Sequence, residues 1–145
     1  MYHYKSCGLD GIYLQNGYNE TTINGESSVA IVAMDSLHEV IAMHICESPT
    51  KLSGKEVRFL RDELDMSQKA LGMLLDKSDQ AIAKWEKDTV EIPRADDACL
   101  RNLYLESRDK ESKLSELLNR FNELDRKIQE RIVLTEDDEQ WSVAC

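Results

Sequence analysis

Between Ser67 and Glu86 the chain reads SQKALGMLLDKSDQAIAKWE, a pattern that admits little besides two short helices joined by a tight turn. The Ser67 hydroxyl is placed to cap the first helix, and Ala70, Leu71, Leu74 and Leu75 recur at the spacing of one buried helical face. Asp76-Lys77 marks the turn, and Ser78 caps the second helix. On that helix Ala81, Ile82 and Trp85 face inward, which leaves Asp79, Gln80, Ala83, Lys84 and Lys87 outside. Gln80 and Lys84 then share one exposed face.

Ser67-Gln68 at one end and Trp85-Glu86 at the other, with Trp85 eighteen residues after Ser67, resemble the lambda-repressor and Cro-like helix-turn-helix family. The resemblance covers roughly residues 51–106. It implies a five-helix domain that sets its second motif helix in the DNA major groove. Asp76 stands where the family often has Gly, and Asp tolerates the left-handed conformation at modest cost. Gly72 replaces a small Ala packed against the partner helix, keeping the close approach at about 1 kcal/mol in helix propensity. The family pattern directs Gln68 and Lys69 to phosphate, and Asp79, Gln80, Ala81 and Lys84 toward base edges; Ser78 and Lys87 complete the expected DNA-binding set.

A wider resemblance runs over nearly all of residues 1–106. CGLDGIYLQNGY, LSGKEVRFLRDELDMSQKALGMLL and WEKDTVEIPRADDACLRNLYLE look like the regulators grouped with MqsA-type antitoxins. In the best-known members an N-terminal domain holds zinc through two C-x-x-C pairs and masks a toxin, while the C-terminal domain binds the operon's own promoter as a dimer. The C-x-x-C pairs are missing here, so zinc is not carried over. Two functions from different classes follow: a homodimeric repressor on a palindromic double-stranded operator, or an antitoxin that masks a toxin protein and autoregulates its operon.

Net charge is the main objection to a DNA ligand, since the chain carries a formal −10. Its distribution answers part of it. Residues 1–50 hold one Lys against six acids, residues 51–106 ten Lys/Arg against twelve, and residues 107–145 seven against ten. The motif segment is thus the least acidic, and Lys55, Lys69, Lys77, Lys84, Lys87 and Arg94 can turn toward phosphates. Weak non-specific binding is the expected consequence.

The segment before the motif alternates strand-like runs, Ile12-Tyr13-Leu14, Tyr18 to Ile23 and Val29 to Val32, with Asn24-Gly25 as a hairpin signal. A small antiparallel sheet is expected, followed by a helix capped by Asp35 with Leu37, Val40, Ile41 and Ile45 packed on that sheet, and a hinge at Ser48 to Ser53. Val57, Leu60 and Leu64 give the next helix its buried stripe, and after Pro93 the residues Ala98, Leu100, Leu103, Tyr104 and Leu105 close the domain. Further on, Leu114, Leu117, Phe121, Leu124 and Ile128 are spaced three, four, three, four, an a/d seam that suits either internal packing or a dimer interface. The tail, Ile132-Val133-Leu134 and Trp141 to Ala144 around a polar turn, reads as two strands free to pair with each other, with the N-terminal sheet or with a partner's tail.

The expected architecture is therefore mainly α with small β elements: a small α/β domain at 1–50, a helix-turn-helix domain at 51–106, and a dimerisation helix with β-hairpin tail at 107–145. With 41% hydrophobic residues, two Pro and six Gly, such a chain can bury a core. The longest apolar run, Ser28 to Met34, is too short for a membrane span, and MYHYKSCG lacks a signal pattern, which points to the cytoplasm. Cys7, Cys46, Cys99 and Cys145 have no repeated spacing and suit reduced thiols, with Cys46 and Cys99 in the core. His3, Cys7, His44 and Cys46 lack the close pairs of a structural zinc site, so no metal or cofactor is expected. Asp96-Asp97 and Asp137-Asp138 read as solvated turns or helix-start charges and His38 as a surface side chain; with no phosphate loop or nucleophile signature, an enzyme is not expected.

Overall fold

Serine hydroxyls start three of the helices. In the computed structural model, which describes residues 1–109 and 133–143, the Ser53, Ser67 and Ser78 side chains accept from the backbone N–H groups of Glu56, Ala70 and Ala81. These caps open α2 (Gly54–Glu63), α3 (Gln68–Leu75) and α4 (Asp79–Glu86). At the first, Glu56 reaches back to the Ser53 N–H and closes a capping box. Helix α1 (Met34–Glu47) precedes them and α5 (Arg94–Ser107) follows, giving five helices among the described residues; residues 51–106 hold four of them, not the five expected there, because the fifth, α1, comes from the preceding segment. The fold is mainly α with antiparallel strand pairs toward both ends of the chain.

The β elements differ from the single sheet expected. Short strands β1 (Tyr2–His3) and β2 (Tyr13–Leu14) pair with each other, while β3 (Tyr18–Ile23) and β4 (Glu26–Ile31) form a separate hairpin. Asn24 and Gly25 turn that hairpin with φ of 54° and 82°, the positive values a type I′ turn requires. Near the other end, β5 (Leu134–Asp137) and β6 (Gln140–Val143) pair with each other, which selects one of the three pairings open to the tail.

One hydrophobic cluster runs through Tyr4, Leu9, Leu14, Ile41, Ile45, Val57, Leu60, Leu71, Ile82, Trp85, Leu100 and Tyr104. Helix α1 contacts α2 and α5 instead of lying on a sheet, and this changes which of its residues are inside. Ile41, Ala42 and Ile45 are buried, whereas Val40, expected inside, is 65% exposed. Asp35 does not cap the helix: Ala33, in a left-handed conformation, occupies the cap position with no side-chain bond, and Asp35 sits in the first turn, where the helix dipole favours an acid.

The segment 48–53, expected as a hinge, is pinned. Arg101 on α5 donates to the carbonyls of Ile45, Cys46, Ser48 and Thr50, and its Nε bonds Asp97 at 2.7 Å. The other Asp97 oxygen accepts the Leu52 N–H at 2.8 Å. Asp96 and Asp97 do stand at a helix start, but both are buried, not solvated. On α5 Leu100, Leu103 and Tyr104 face inward, while Ala98, Leu105 and Cys99, all expected to pack, are exposed. Cys46 is half-buried, and burial pushes its thiol up to about 11.

His38, expected at the surface, is half-buried. Its Nε2 lies 2.7 Å from the Tyr4 hydroxyl and its Nδ1 2.6 Å from Glu63 Oε1, with the Phe59 ring centroid 5.5 Å away. The imidazole thereby ties the N-terminal segment to α1 and α2, and burial raises the Tyr4 hydroxyl pKa. Leu114, Leu117, Phe121, Leu124, Ile128 and Cys145 lie outside the described residues.

Candidate nucleic-acid interface

Helix α4 is held on one face and open on the other. Ile82 and Trp85 are 0% and 4% exposed against α2 and α3, while Asp79, Gln80, Lys84 and Lys87 lie in solvent and Ala81 and Ala83 are half-buried. Since residues four apart lie on the same side of a helix, Gln80 and Lys84 stand one turn apart on the open face. The Asp79 carboxylate accepts the Gln80 N–H at 2.9 Å, so Asp79 helps finish the helix start that Ser78 caps.

The turn into α4 is tight. Asp76 adopts φ 55° and ψ 48° at the end of α3, as expected for an Asp in the family's Gly position. Lys77 then donates its N–H to the Gly72 carbonyl at 2.7 Å. A Cβ at Gly72 would lie 2.5 Å from the Lys77 carbonyl oxygen. Glycine here is thus a demand of the turn, where the sequence suggested only a tolerated substitute for Ala.

The far end of α4 is clamped by α2. A Cβ at Gly54 would come within 2.5 Å of the carbonyl oxygens of both Trp85 and Glu86, and the Gly54 N–H donates to Asp88 Oδ1 at 2.8 Å. Asp88 has φ 57°, a left-handed value that aims the chain back toward α2. Alongside, Arg61 donates from Nε and Nη2 to the two Glu86 oxygens at 2.7 and 3.0 Å. The side chains of this pair are 12% and 6% exposed, and Glu86 holds the Arg61 guanidinium above its ordinary pKa.

Gln68 joins this pair. Its Nε2 donates to Glu86 Oε1 at 3.2 Å, so the two ends of the twenty-residue signature meet in space. Lys69, Lys84, Lys87 and Arg94 form no ion pair among the described residues. Lys55 and Lys77 are engaged elsewhere: Lys55 binds both oxygens of Asp10 at 2.9 and 2.8 Å, and Lys77 lies 3.7 Å from Asp96.

A supported helix with a polar outer face beside a capped helix start has the geometry of a groove-reading unit, and the family comparison agrees with it. The model of the Cro/C1-type helix-turn-helix family matches residues 57–98. The chain carries a helix-turn-helix domain of that type. No curated protein and no solved structure matches the chain. The match over residues 57–98 supports a DNA-binding transcription regulator in general terms, and the family is a regulatory one. No helix among the described residues is long and apolar enough to cross a membrane.

Within the helix-turn-helix domain the signature residues are those the sequence placed at the motif, but their supports were not legible. Nothing local distinguishes Arg61, Gly54 or Asp88 from other residues of their type. Glu86 was visible only as part of a family pattern, whereas its contact with Arg61 spans 25 residues.

Proposed function

We propose that the protein is a sequence-specific transcriptional repressor that binds a palindromic operator as a homodimer in the cytoplasm. The observation that supports it is the open face of α4, where Gln80 and Lys84 project from a helix whose other face and both ends are fixed. A rigid support matters because base readout depends on hydrogen bonds that fail with small displacements. In this reading the first turns of α4 enter the major groove, Gln80 makes paired contacts with an adenine, and Lys84 reaches a guanine or a phosphate. Ser78, Asp79 and Ala81 lie at the base edges with them. Gln68 and Lys69, at the start of α3, approach a phosphate that the helix dipole also favours, and Lys87 reaches the same strand. The bond to Glu86 holds the Gln68 amide in place for that contact.

Two copies fit this function because two recognition helices read two half-sites, and the a/d spacing of Leu114, Leu117, Phe121, Leu124 and Ile128 supports a seam between them. A dimer covering an operator would exclude polymerase from it. Selection of bound sequences from random duplex with the purified chain is the test. A palindrome with half-sites about 34 to 36 Å apart is the expected result, and enrichment of no sequence overturns the proposal. Gln80→Ala should cost about 1 to 3 kcal/mol at the selected site and little on random duplex, while Lys69→Ala should lower the salt slope by about one.

A second reading, the antitoxin, is favoured by one feature. A groove of about 580 Å³ is lined by Leu9, Ile12, Leu14, Leu37, Val40 and Ile45, among others, and would accept an apolar element of a toxin. A toxin-sized reading frame beside the gene, whose product co-purifies with the chain and is released by Val40→Glu, would favour this reading; unchanged co-purification of that variant would count against the groove.

A further inference from the structure

The loop after α4 carries an exposed apolar side chain beside the polar groups of the open face of α4. Val90 is 47% exposed and, with Ser78, Gln80, Ala81, Lys84 and Trp85, lines a depression of about 150 Å³ on the side of α4. The loop is held there: the Thr89 and Val90 N–H groups donate to the Lys84 carbonyl at 3.0 and 3.4 Å. Val90 and the half-buried Ala81 supply apolar surface beside the polar ends of Gln80 and Lys84.

A surface that enters the major groove meets hydrogen-bonding edges at every base, and one apolar group among the four standard bases, the 5-methyl of thymine. We propose that the Val90–Ala81 depression is a thymine subsite: it receives the 5-methyl of one thymine per half-site while Gln80 or Lys84 bonds a neighbouring base edge. This inference rests on the DNA-binding reading above and adds to it a determinant outside the recognition helix. The loop thereby specifies a base that hydrogen-bonding residues alone would read less sharply.

The test uses the full chain and the duplex enriched from random sequence, with each thymine replaced in turn by uracil, which removes only the methyl. One uracil position per half-site should weaken binding about fourfold, the worth of one buried methyl, with the other positions near neutral. Val90→Ala should lose that thymine preference, and Val90→Thr, which keeps the shape but exchanges one methyl for a hydroxyl, should lose part of it. Val90 is half exposed, so both variants should fold, and circular dichroism verifies it. A Val90→Ala protein that discriminates thymine from uracil as sharply as the parent overturns the subsite, as does an enriched duplex bound equally well with uracil throughout. Failure to enrich any sequence is a different result and overturns the DNA reading itself.

Discussion

The β3–β4 hairpin and the α3–α4 pair are each two elements around a short turn with left-handed residues, yet they are stabilised differently. The hairpin exposes nearly all its side chains: Ile23 is 69% exposed, and Tyr18, Val29 and Ile31 are at best half-buried. Its shape follows from the Asn24-Gly25 turn, six paired positions and a Thr21–Ser28 hydroxyl bond. In the helix pair, Leu71 and Ile82 are fully buried, Glu86 at the end of α4 is ion-paired with Arg61 of α2, and Gly72 admits backbone at van der Waals limits. The hairpin can lose a side chain with little effect, whereas the helix pair transmits any change to α4.

The largest test of this contrast is core truncation. Leu71→Ala should destabilise the protein by about 3 kcal/mol in urea unfolding, and Ile23→Ala by less than about 0.5 kcal/mol. Equal costs would make the hairpin part of the core. Next, Glu86→Ala leaves the Arg61 guanidinium without its carboxylate, at about 3 kcal/mol discounted by the residual exposure of Arg61. Replacing both residues with Met should cost less than the single change, because no unpaired charge remains inside. Gly54→Ala should cost about 2 kcal/mol through its collision with the α4 carbonyls, and should weaken DNA binding beyond its effect on stability.

Asn24→Ala makes the reverse case. A residue at φ 54° loses about 1 kcal/mol when Ala replaces Asn, but the loss should appear as faster amide exchange in β3 and β4 with the urea midpoint of the helices unchanged. A matching shift of that midpoint would show that the hairpin unfolds with the helices. The smallest effect belongs to Asp10. Lys55 holds its carboxyl below the usual value, so the pair favours the folded state above the ordinary carboxylate range and loses that contribution as pH falls through the lowered value. Asp10→Asn should remove the corresponding carboxyl titration in NMR without altering the helices.

Serine at 67 and 78 determined where α3 and α4 begin, because a cap is satisfied within three residues of chain; Ser53, read in the sequence only as the end of a hinge, caps α2 in the same way. The Asn24-Gly25 turn and the inward stripe of Leu71, Leu75, Ile82 and Trp85 were local in the same sense, and so was the outward pair Gln80 and Lys84. Tertiary structure decided the rest. Ala42 is buried and Val40 exposed because α1 meets α2 and α5, and periodicity cannot choose between adjacent faces of a helix before its neighbours are known. Asp97 is inside because Arg101 and the Leu52 N–H, 45 residues away, meet it there. His38 is half-buried because Tyr4 and Glu63 supply its partners from distant parts of the chain. Each of these polar groups would be costly to bury alone, so its position is fixed by partners that only the folded chain brings within reach.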